Sequence, residues 1–282
     1  MNIHTRLLSP VAIIGSGWLG SELAHQLLNN GVDVVGTSRN PQKREQLNKA
    51  GVRAIDVDVY QPESFQQTEL TTAKIWIIAI AAGLNRRDPN AYVRAMRTLI
   101  EHAVQTDIER VVFVSTSSVY GSATRQVNED SAVAPQTNSA KAHVEVEEIL
   151  RELLPKRHYI LRLAGLISEQ RHPVRRMVLR SDIENGHHVV NLIHRTDVVN
   201  ALQVLCEIEP IKRRTLHLCA PDHPSRYEYY TWAAKQLALP PPQFVLPVDE
   251  ALQGKTIDCA KSLQAMGLAL HYTSPFQMLT EQ

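Results

Sequence analysis

Cysteine is scarce in this chain of 282 residues. It occurs three times, as Cys206, Cys219 and Cys259, and no two of them have the spacing of a CxxC motif. An odd number of widely separated cysteines suits neither a disulfide framework nor a thiolate zinc site. We therefore expect reduced cysteines packed in the core.

Excess charge and long apolar runs are also missing. The 30 Lys and Arg balance 29 Asp and Glu, for a formal net charge of +1, so we expect no nucleic-acid partner. The longest apolar run, 75–83, is too short for a bilayer, which takes about 20 residues. Val11–Ile14 leads straight into glycines and lacks the features of a signal peptide. We expect a cytoplasmic protein without a membrane partner.

Hydrophobic residues nevertheless make up 44% of the chain, enough for a large core. Short apolar runs alternate with longer segments of helical period. This pattern predicts an α/β fold, a Rossmann-type doubly wound parallel sheet with helices on both faces. The predicted strands are 11–14, 32–36, 52–57, 75–80, 111–114 and 158–163, and the main predicted helices are 19–30, 41–50, 91–105 and 139–154.

After residue 163 the alternation loosens into a segment rich in arginine and proline. We predict a Rossmann domain over 9–165, to which 189–208 returns. A smaller C-terminal substrate lobe is predicted from 166–188 and 209–282. Within 189–208 the pattern predicts a strand over 189–193 and a helix that has Thr196 as its N-cap.

A GxGxxG sequence, Gly15-Ser16-Gly17-Trp18-Leu19-Gly20, stands between the first strand and the first helix. In that context the glycines permit a tight turn, a close approach to a pyrophosphate and close helix packing. The amides at the helix N-terminus then bind the phosphates. The alternative is a glycine-rich turn without a ligand. The strand before and the amphipathic helix after favour dinucleotide binding.

The end of the second predicted strand favours NADP over NAD. An acidic residue there would accept a hydrogen bond from the ribose 2′-hydroxyl of NAD, but this chain has Ser38 and Arg39. Arg39, aided by Lys43 or Arg44, suits a 2′-phosphate, although it could also be a solvated surface arginine. The other predicted contacts follow later strands: Asp58 and Val59, with Asp56 as a competing choice, and Ile80 and Ala81.

Four further stretches resemble the NAD(P)-dependent epimerase/dehydratase family, the extended short-chain dehydrogenases/reductases. They are 112–121 (VFVSTSSVYG), 161–165 (LRLAG), 191–199 (NLIHRTDVV) and 216–221 (LHLCAP). The chain is most similar to an atypical, YeeZ-like bacterial branch in its Gly-Trp-Leu-Gly, Thr137-Asn138-Ser139 and Arg171-His172-Pro173 sequences. This resemblance implies an oxidoreductase or epimerase acting on a polar small molecule or a nucleotide sugar. It also implies a homodimer formed through the helices predicted at 91–105 and 139–154.

The resemblance implies catalytic positions too. Thr116 occupies the place of the family's substrate-orienting Ser or Thr. The family's Tyr-x-x-x-Lys pair is replaced, with Ser139 at the Tyr position and His143 at the Lys position. A serine cannot replace an activated tyrosinate, so the alternatives are His143 as general base or Tyr120 reaching over from its loop. A protein that binds NADP without turnover, as a sensor or scaffold, remains an equal alternative.

Two other groups invite a functional interpretation. His187, His188 and His194 cluster in sequence but lack a carboxylate at ligand spacing, so we predict no metal site. Arginines 171, 175, 176 and 180 fall in the segment that contacts substrate in the family. They could bind a phosphate or carboxylate, or form a solvated helix face.

Overall fold

The structure, a computed structural model, describes residues 9–66, 68–82, 88–245 and 251–279. Its strands are β1 (Val11–Ile14), β2 (Val34–Thr37), β3 (Arg53–Ile55), β4 (Ile75–Ile78), β5 (Arg110–Thr116), β6 (Gln126–Val127), β7 (His158–Leu163), β8 (Gly165–Ile167), β9 (Leu192–His194), β10 (Thr215–Leu218) and β11 (Thr256–Ile257). Its α-helices are α1 (Trp18–Asn29), α2 (Pro41–Lys49), α3 (Thr68–Thr72), α4 (Pro89–Val104), α5 (Asn138–Leu153), α6 (Val174–Met177), α7 (Arg195–Glu207), α8 (Arg226–Gln236) and α9 (Ala260–Met266). None of these helices is long and apolar enough to cross a membrane.

Seven of the strands form one parallel sheet in the order β10-β7-β5-β4-β1-β2-β3. The chain builds outward from β1 to β3, then crosses back and continues from β4 on the other side of β1. Neighbouring β1 and β4 are in register, with Ile13 opposite Ile77. This is the doubly wound topology that the sequence predicted. Ligands in such sheets bind at the carboxyl ends of the strands where the winding reverses, here β1 and β4.

Alternate residues of β1 pack into two different cores. Val11 and Ile13 lie in the core that contains Leu23 of α1 and the inner face of α7. Ala12 and Ile14 lie in the core beneath α4 and α5 on the opposite face. Because helices cover both faces of the sheet, every residue of β1 is apolar, and apolar and polar residues do not alternate along it.

A third, smaller core joins the elements that flank the sheet at its carboxyl edge. Ile167 of β8, Met177 of α6 and Tyr229 of α8 pack together there. Strands β8 and β9 pair beside it, and β6 pairs with β11. These parts belong to the segments predicted as the substrate lobe, apart from β6 and β9.

Strand β10 departs from the sequence-based assignment. Thr215–Leu218 is the edge strand of the central sheet, with Leu216 opposite Leu161, whereas the sequence pattern predicted all of 209–282 in the smaller lobe. A short apolar run has the same composition in either lobe, and only its long-range pairing with β7 decides which sheet it joins.

The start of α7 also differs from the prediction. The strand covers Leu192–His194, and the helix begins at Arg195. Its cap is His194, whose Nδ1 accepts a hydrogen bond from the backbone N–H of Thr196 (3.3 Å). The predicted cap, Thr196, is already inside the helix. A histidine ring nitrogen takes the place of the usual cap oxygen, which composition rules do not anticipate.

Candidate functional site

The glycine loop joins β1 to α1. Gly15 has a φ of +101°, which favours glycine, and a Cβ at this position would lie 2.9 Å from the carbonyl oxygen of Ala79. A Cβ on Gly20 would overlap the carbonyl oxygen of Gly15. Gly17 is the N-cap of α1 and offers no side-chain cap to the first amides of the helix. Those amides are suited to hold a phosphate.

A cavity of about 850 Å³ lies over this loop at the carboxyl ends of β1, β2, β4 and β5. Its size is in the range of cofactor sites, and its glycine floor fits a dinucleotide. Apart from the alternatives Arg44 and Asp56, the residues predicted to contact the cofactor line it: Gly15, Ser16, Gly17, Trp18, Leu19, Gly20, Ser38, Arg39, Asp58, Val59, Ile80 and Ala81. The same cavity is lined by Thr116, Ser139 and His143.

One end of the cavity carries the charges predicted to recognise the ribose. Arg39 Nη1 lies 3.6 Å from Asp58 Oδ2, and the Arg39 side chain is 56% exposed. Lys43 of α2 lines the cavity beside them. Arg44 is not part of the lining; it pairs with Asp56 at 3.2 Å and donates to the carbonyl oxygen of Ser38 (2.8 Å). The structure thus brings Arg39 and Lys43 to the site and holds Arg44 and Asp56 outside it.

The other end of the cavity carries the catalytic candidates. Thr116 ends β5, and its Oγ1 accepts a hydrogen bond from the backbone N–H of Ser118 (3.1 Å). His143 of α5 is buried, and its Nδ1 donates to the carbonyl oxygen of Ser139 (2.8 Å). Burial lowers the pKa of His143 despite opposing contributions from Ser139 and Glu147. At neutral pH the ring is therefore uncharged, with its lone pair on Nε2.

Comparisons with known proteins agree with this geometry. The family model described as NAD(P)H-binding matches residues 15–205. The chain is 33% identical over 278 residues to Protein YeeZ of Escherichia coli K12, which covers 97% of this chain and 100% of that protein. The chain belongs to the NAD(P)H-binding family.

Solved structures with the same fold include a putative epimerase/dehydratase and a second enzyme that holds NAD. A putative NAD-dependent epimerase/dehydratase from Methylobacillus flagellatus has a TM-score of 0.78 at 24% identity and covers 96% of each chain. The Bordetella bronchiseptica enzyme WbmG, in complex with NAD and UDP, has a TM-score of 0.81 at 18% identity, covering 99% of this chain and 94% of that one. The fold of this NAD(P)H-binding chain is thus epimerase/dehydratase-like.

Tyr120 does not reach the site, contrary to one of our sequence-based alternatives. Its side chain is 1% exposed, and it does not line the cavity. Its hydroxyl accepts a hydrogen bond from Arg162 Nη1 (2.6 Å) and lies 2.7 Å from His217 Nε2. Burial raises the pKa of Tyr120, which keeps the phenol protonated. The short helical turn after Thr116 directs this side chain into the core.

A buried ion pair behind the cavity was missed by the sequence analysis. Glu147 of α5 and Arg162 of β7 are 0% and 3% exposed and form a salt bridge. Glu147 Oε1 also accepts from Ser115 Oγ (2.7 Å), and Ser115 lines the cavity. Burial opposes ionisation of Glu147, but the Arg162 guanidinium holds its pKa below the usual value. An arginine inside an apolar strand, with a glutamate on the inner face of α5, was the available signal.

The remaining candidates divide between the cavity and the surface. Of the four arginines in the 171–180 segment, only Arg171 lines the cavity. Lys141 is exposed on α5 and is not part of the lining. His187 and His188 contact each other edge to face, with their ring centroids 4.8 Å apart. Within the described ranges, no group of three or more His, Cys, Asp or Glu side chains could hold a metal ion.

Proposed function

We propose that the cavity binds NADP in preference to NAD. Arg39 and Lys43 line its ribose end and would receive the 2′-phosphate, while the amides of α1 would receive the pyrophosphate. Asp58 and Val59 would contact the adenine, and Ile80 and Ala81 the middle of the cofactor. The main support is that all these residues line one cavity around the glycine loop.

The proposed activity is that of an epimerase/dehydratase-like oxidoreductase acting on a polar small molecule or nucleotide sugar. The UDP held by WbmG supports the nucleotide-sugar class. When bound, the nicotinamide supplies hydride transfer. The residues of 166–188 and part of 209–282 would enclose the substrate as a smaller lobe, and Thr116 would orient its hydroxyl or carbonyl. Cytoplasmic action suits such a substrate.

His143 would act as the general base in place of the family's Tyr-x-x-x-Lys pair. The observation that carries this role is a buried, uncharged imidazole on the cavity wall, with Nδ1 satisfied by Ser139. Nε2 is then the atom that accepts the substrate proton. Ser139 contributes its backbone carbonyl, which fixes the ring tautomer, and its hydroxyl is not required.

The pH dependence follows from the lowered pKa of His143. A base must be unprotonated, and this ring stays unprotonated to a lower pH than a free histidine. Turnover should be constant through neutral pH and fall only as the pH drops below about 6.5, the ordinary histidine value. A rate that declines already above that pH would contradict the assignment.

Variants of the two α5 residues test the proposal. His143→Ala should reduce turnover about 100-fold to 10,000-fold, the usual contribution of general base catalysis, and leave NADPH affinity unchanged. Ser139→Ala is the matched control and should retain turnover, since its carbonyl remains. Single-turnover rates and calorimetric NADPH titration give the two readouts. Loss of turnover in Ser139→Ala alone would overturn the role of His143.

A second candidate function is a sensor or scaffold that binds NADP without turnover. The cavity contains Ser139 and His143 at the positions of the family's proton-transfer pair. Lys141 is exposed outside the cavity and cannot replace the missing lysine, which favours binding without turnover. A sensor predicts no hydride transfer with any supplied carbonyl or alcohol, together with a change in partner binding when NADPH is added. Turnover that depends on His143 would exclude it.

The proposed assembly is a homodimer through α4 and α5. These helices pack against each other, and their outer side carries charges of both signs, such as Arg97 and Glu152, which are 3.4 Å apart. A two-fold axis would place the same two helices of a second chain against this face, as an isologous interface requires. Gel filtration with light scattering should give about twice 31.7 kDa. A monomer at micromolar concentration would contradict the dimer.

A further inference from the structure

His143 packs against two aromatic side chains that belong to the core and do not line the cavity. The Tyr92 ring of α4 has its centroid 6.0 Å from that of the imidazole, and the Phe113 ring of β5 has its centroid 5.7 Å away. Both aromatic residues are 0% exposed, whereas His143 lines the cavity. The proposed general base therefore contacts aromatic rings on its core side and the cavity on the other.

Tyr92 is itself held in place by a hydrogen bond. Its hydroxyl donates to the carbonyl oxygen of Ile80 (3.1 Å), a cavity-lining residue just after β4. Burial raises the pKa of Tyr92, so the phenol stays protonated and remains a donor. One buried side chain thus connects the backbone at the cavity wall with the imidazole of α5.

The hydrogen bond to Ser139 does not by itself orient the His143 ring. It fixes the tautomer, because Nδ1 donates to the carbonyl oxygen (2.8 Å). The ring could still tilt about this bond, since hydrogen bonds tolerate a range of angles. Tyr92 and Phe113, tilted by 35° and 31° to the imidazole plane, occupy the space into which it would tilt.

We propose that Tyr92 is a positioning residue for His143. Together with Phe113 it holds the imidazole so that Nε2 points into the cavity, and it keeps water from the core side of the ring. This inference deepens the proposed function and rests on the assignment of His143 as general base. Tyr92 acts through the histidine and is not part of the cavity lining.

Burial is the main reason why the His143 ring is uncharged. The titratable and charged side chains on the elements packed around the ring are Tyr92, Tyr120, Glu147 and Arg162. Burial lowers the pKa of His143, and the Glu147 carboxylate opposes it. Because Tyr92 supplies part of this burial, loss of its ring should let water approach and raise the pKa.

Nitrogen-15 NMR of the histidine rings tests the inference without a substrate. In the wild type, His143 should titrate below about 6.5, the ordinary histidine value, and show the Nδ1–H tautomer alone. Tyr92→Leu opens a void beside the ring, so the pKa should rise toward that value and the Nε2–H tautomer should appear. Tyr92→Phe keeps the aromatic ring and should titrate as the wild type does.

Turnover links the ring orientation to the reaction. At pH 8 the imidazole is uncharged in the wild type and in each variant, so a difference in rate reports orientation and not protonation. With the substrate used to test His143→Ala, the single-turnover rate of Tyr92→Leu should fall about tenfold to hundredfold, the effect of a small misplacement of a reacting group. Tyr92→Phe should recover most of this loss.

Phe65→Leu is the matched control. Phe65 is 1% exposed in the same core, and its ring lies 5.9 Å from His102, a histidine outside the cavity lining. It should leave the His143 titration unchanged. If Phe65→Leu shifts His143 as much as Tyr92→Leu does, general loss of packing is the cause and the inference is overturned.

Two further outcomes decide the inference. A wild-type His143 titration in folded Tyr92→Leu overturns it. If circular dichroism shows that Tyr92→Leu does not fold, Phe113→Leu removes the other ring and the same readouts apply, and an ordinary His143 pKa in the wild type overturns the inference without any variant. A wild type with the expected titration but no turnover overturns the proposed function and leaves the positioning of the ring by Tyr92 supported.

Discussion

Two arginines near the cavity pair with an acidic residue, one in the cavity wall and one behind it, and the two pairs have opposite surroundings. Arg39 and Asp58 are 3.6 Å apart, with side chains 56% and 19% exposed. Arg162 and Glu147 are almost completely buried. Water screens the first pair, so both partners stay available to a ligand. The second pair forms further hydrogen bonds with Ser115 and Tyr120. Its buried side chains stabilise the fold and do not contact a ligand. Burial, more than charge, separates a recognition pair from a structural one.

The largest effect that tests this comparison concerns stability. Glu147→Gln removes the carboxylate and leaves the Arg162 charge buried without its counterion. Breaking a buried pair from one side costs about 3–5 kcal/mol, so the free energy of unfolding should fall by that amount. Urea denaturation followed by circular dichroism measures it.

The matched control for this variant is Glu148→Gln on the next residue of α5. Glu148 is exposed and pairs with the partly exposed Arg151 (2.6 Å), so its loss should change stability by less than about 1 kcal/mol. Equal stabilities for the two variants would show that burial does not distinguish the pairs as we argue.

The end of the cavity that contains Arg39 and Asp58, here called the recognition end, was predictable from the sequence. Its residues directly follow the predicted strands. Gly15, Arg39 and Asp58 each stand just beyond an apolar run, and parallel strands bring their carboxyl ends to one edge. Six strands of the sheet followed from the same alternation, whereas the seventh, β10, joins it through long-range pairing that local composition does not encode.

The buried end was not predictable in the same way. Glu147 and Arg162 are 15 positions apart and lie on a helix and a strand whose facing sides are otherwise apolar. Only their contact in the fold explains both charges. Tyr120 failed as a prediction for the same reason, since its short turn could direct the ring toward the cavity or into the core. The Arg162 and His217 partners that hold it inside come from strands far along the chain.

A smaller effect is expected at the recognition end, and it concerns affinity. NADPH should bind about tenfold to hundredfold more tightly than NADH, the worth of a charge-assisted hydrogen bond to the 2′-phosphate. Arg39→Ala should abolish this preference and leave unfolding nearly unchanged, because the Arg39 side chain is mostly exposed. Titration of both cofactors gives the ratio.

Arg44→Ala provides the control for the affinity measurement. Arg44 lies on the same helix as Lys43 but pairs with Asp56 and stays outside the cavity lining, so its removal should preserve the preference for NADPH. Equal dissociation constants for NADPH and NADH in the wild type would refute the assignment of Arg39 to the 2′-phosphate.

The smallest effect concerns Asp58, whose carboxylate competes with the 2′-phosphate for Arg39. Asp58→Asn removes that competition and one negative charge beside the phosphate, so the ratio of NADPH to NADH affinity should rise. An exposed ion pair is worth up to about 1 kcal/mol, which limits the rise to roughly fivefold. NADH serves as the internal reference for any loss of adenine contacts, since it lacks the 2′-phosphate.

Asp56→Asn, outside the cavity lining, should leave the ratio unchanged. The rise should also shrink as salt is added, because screening weakens the same repulsion in the wild type. A ratio that falls in Asp58→Asn would mean that Asp58 orients Arg39 for the phosphate and does not compete with it.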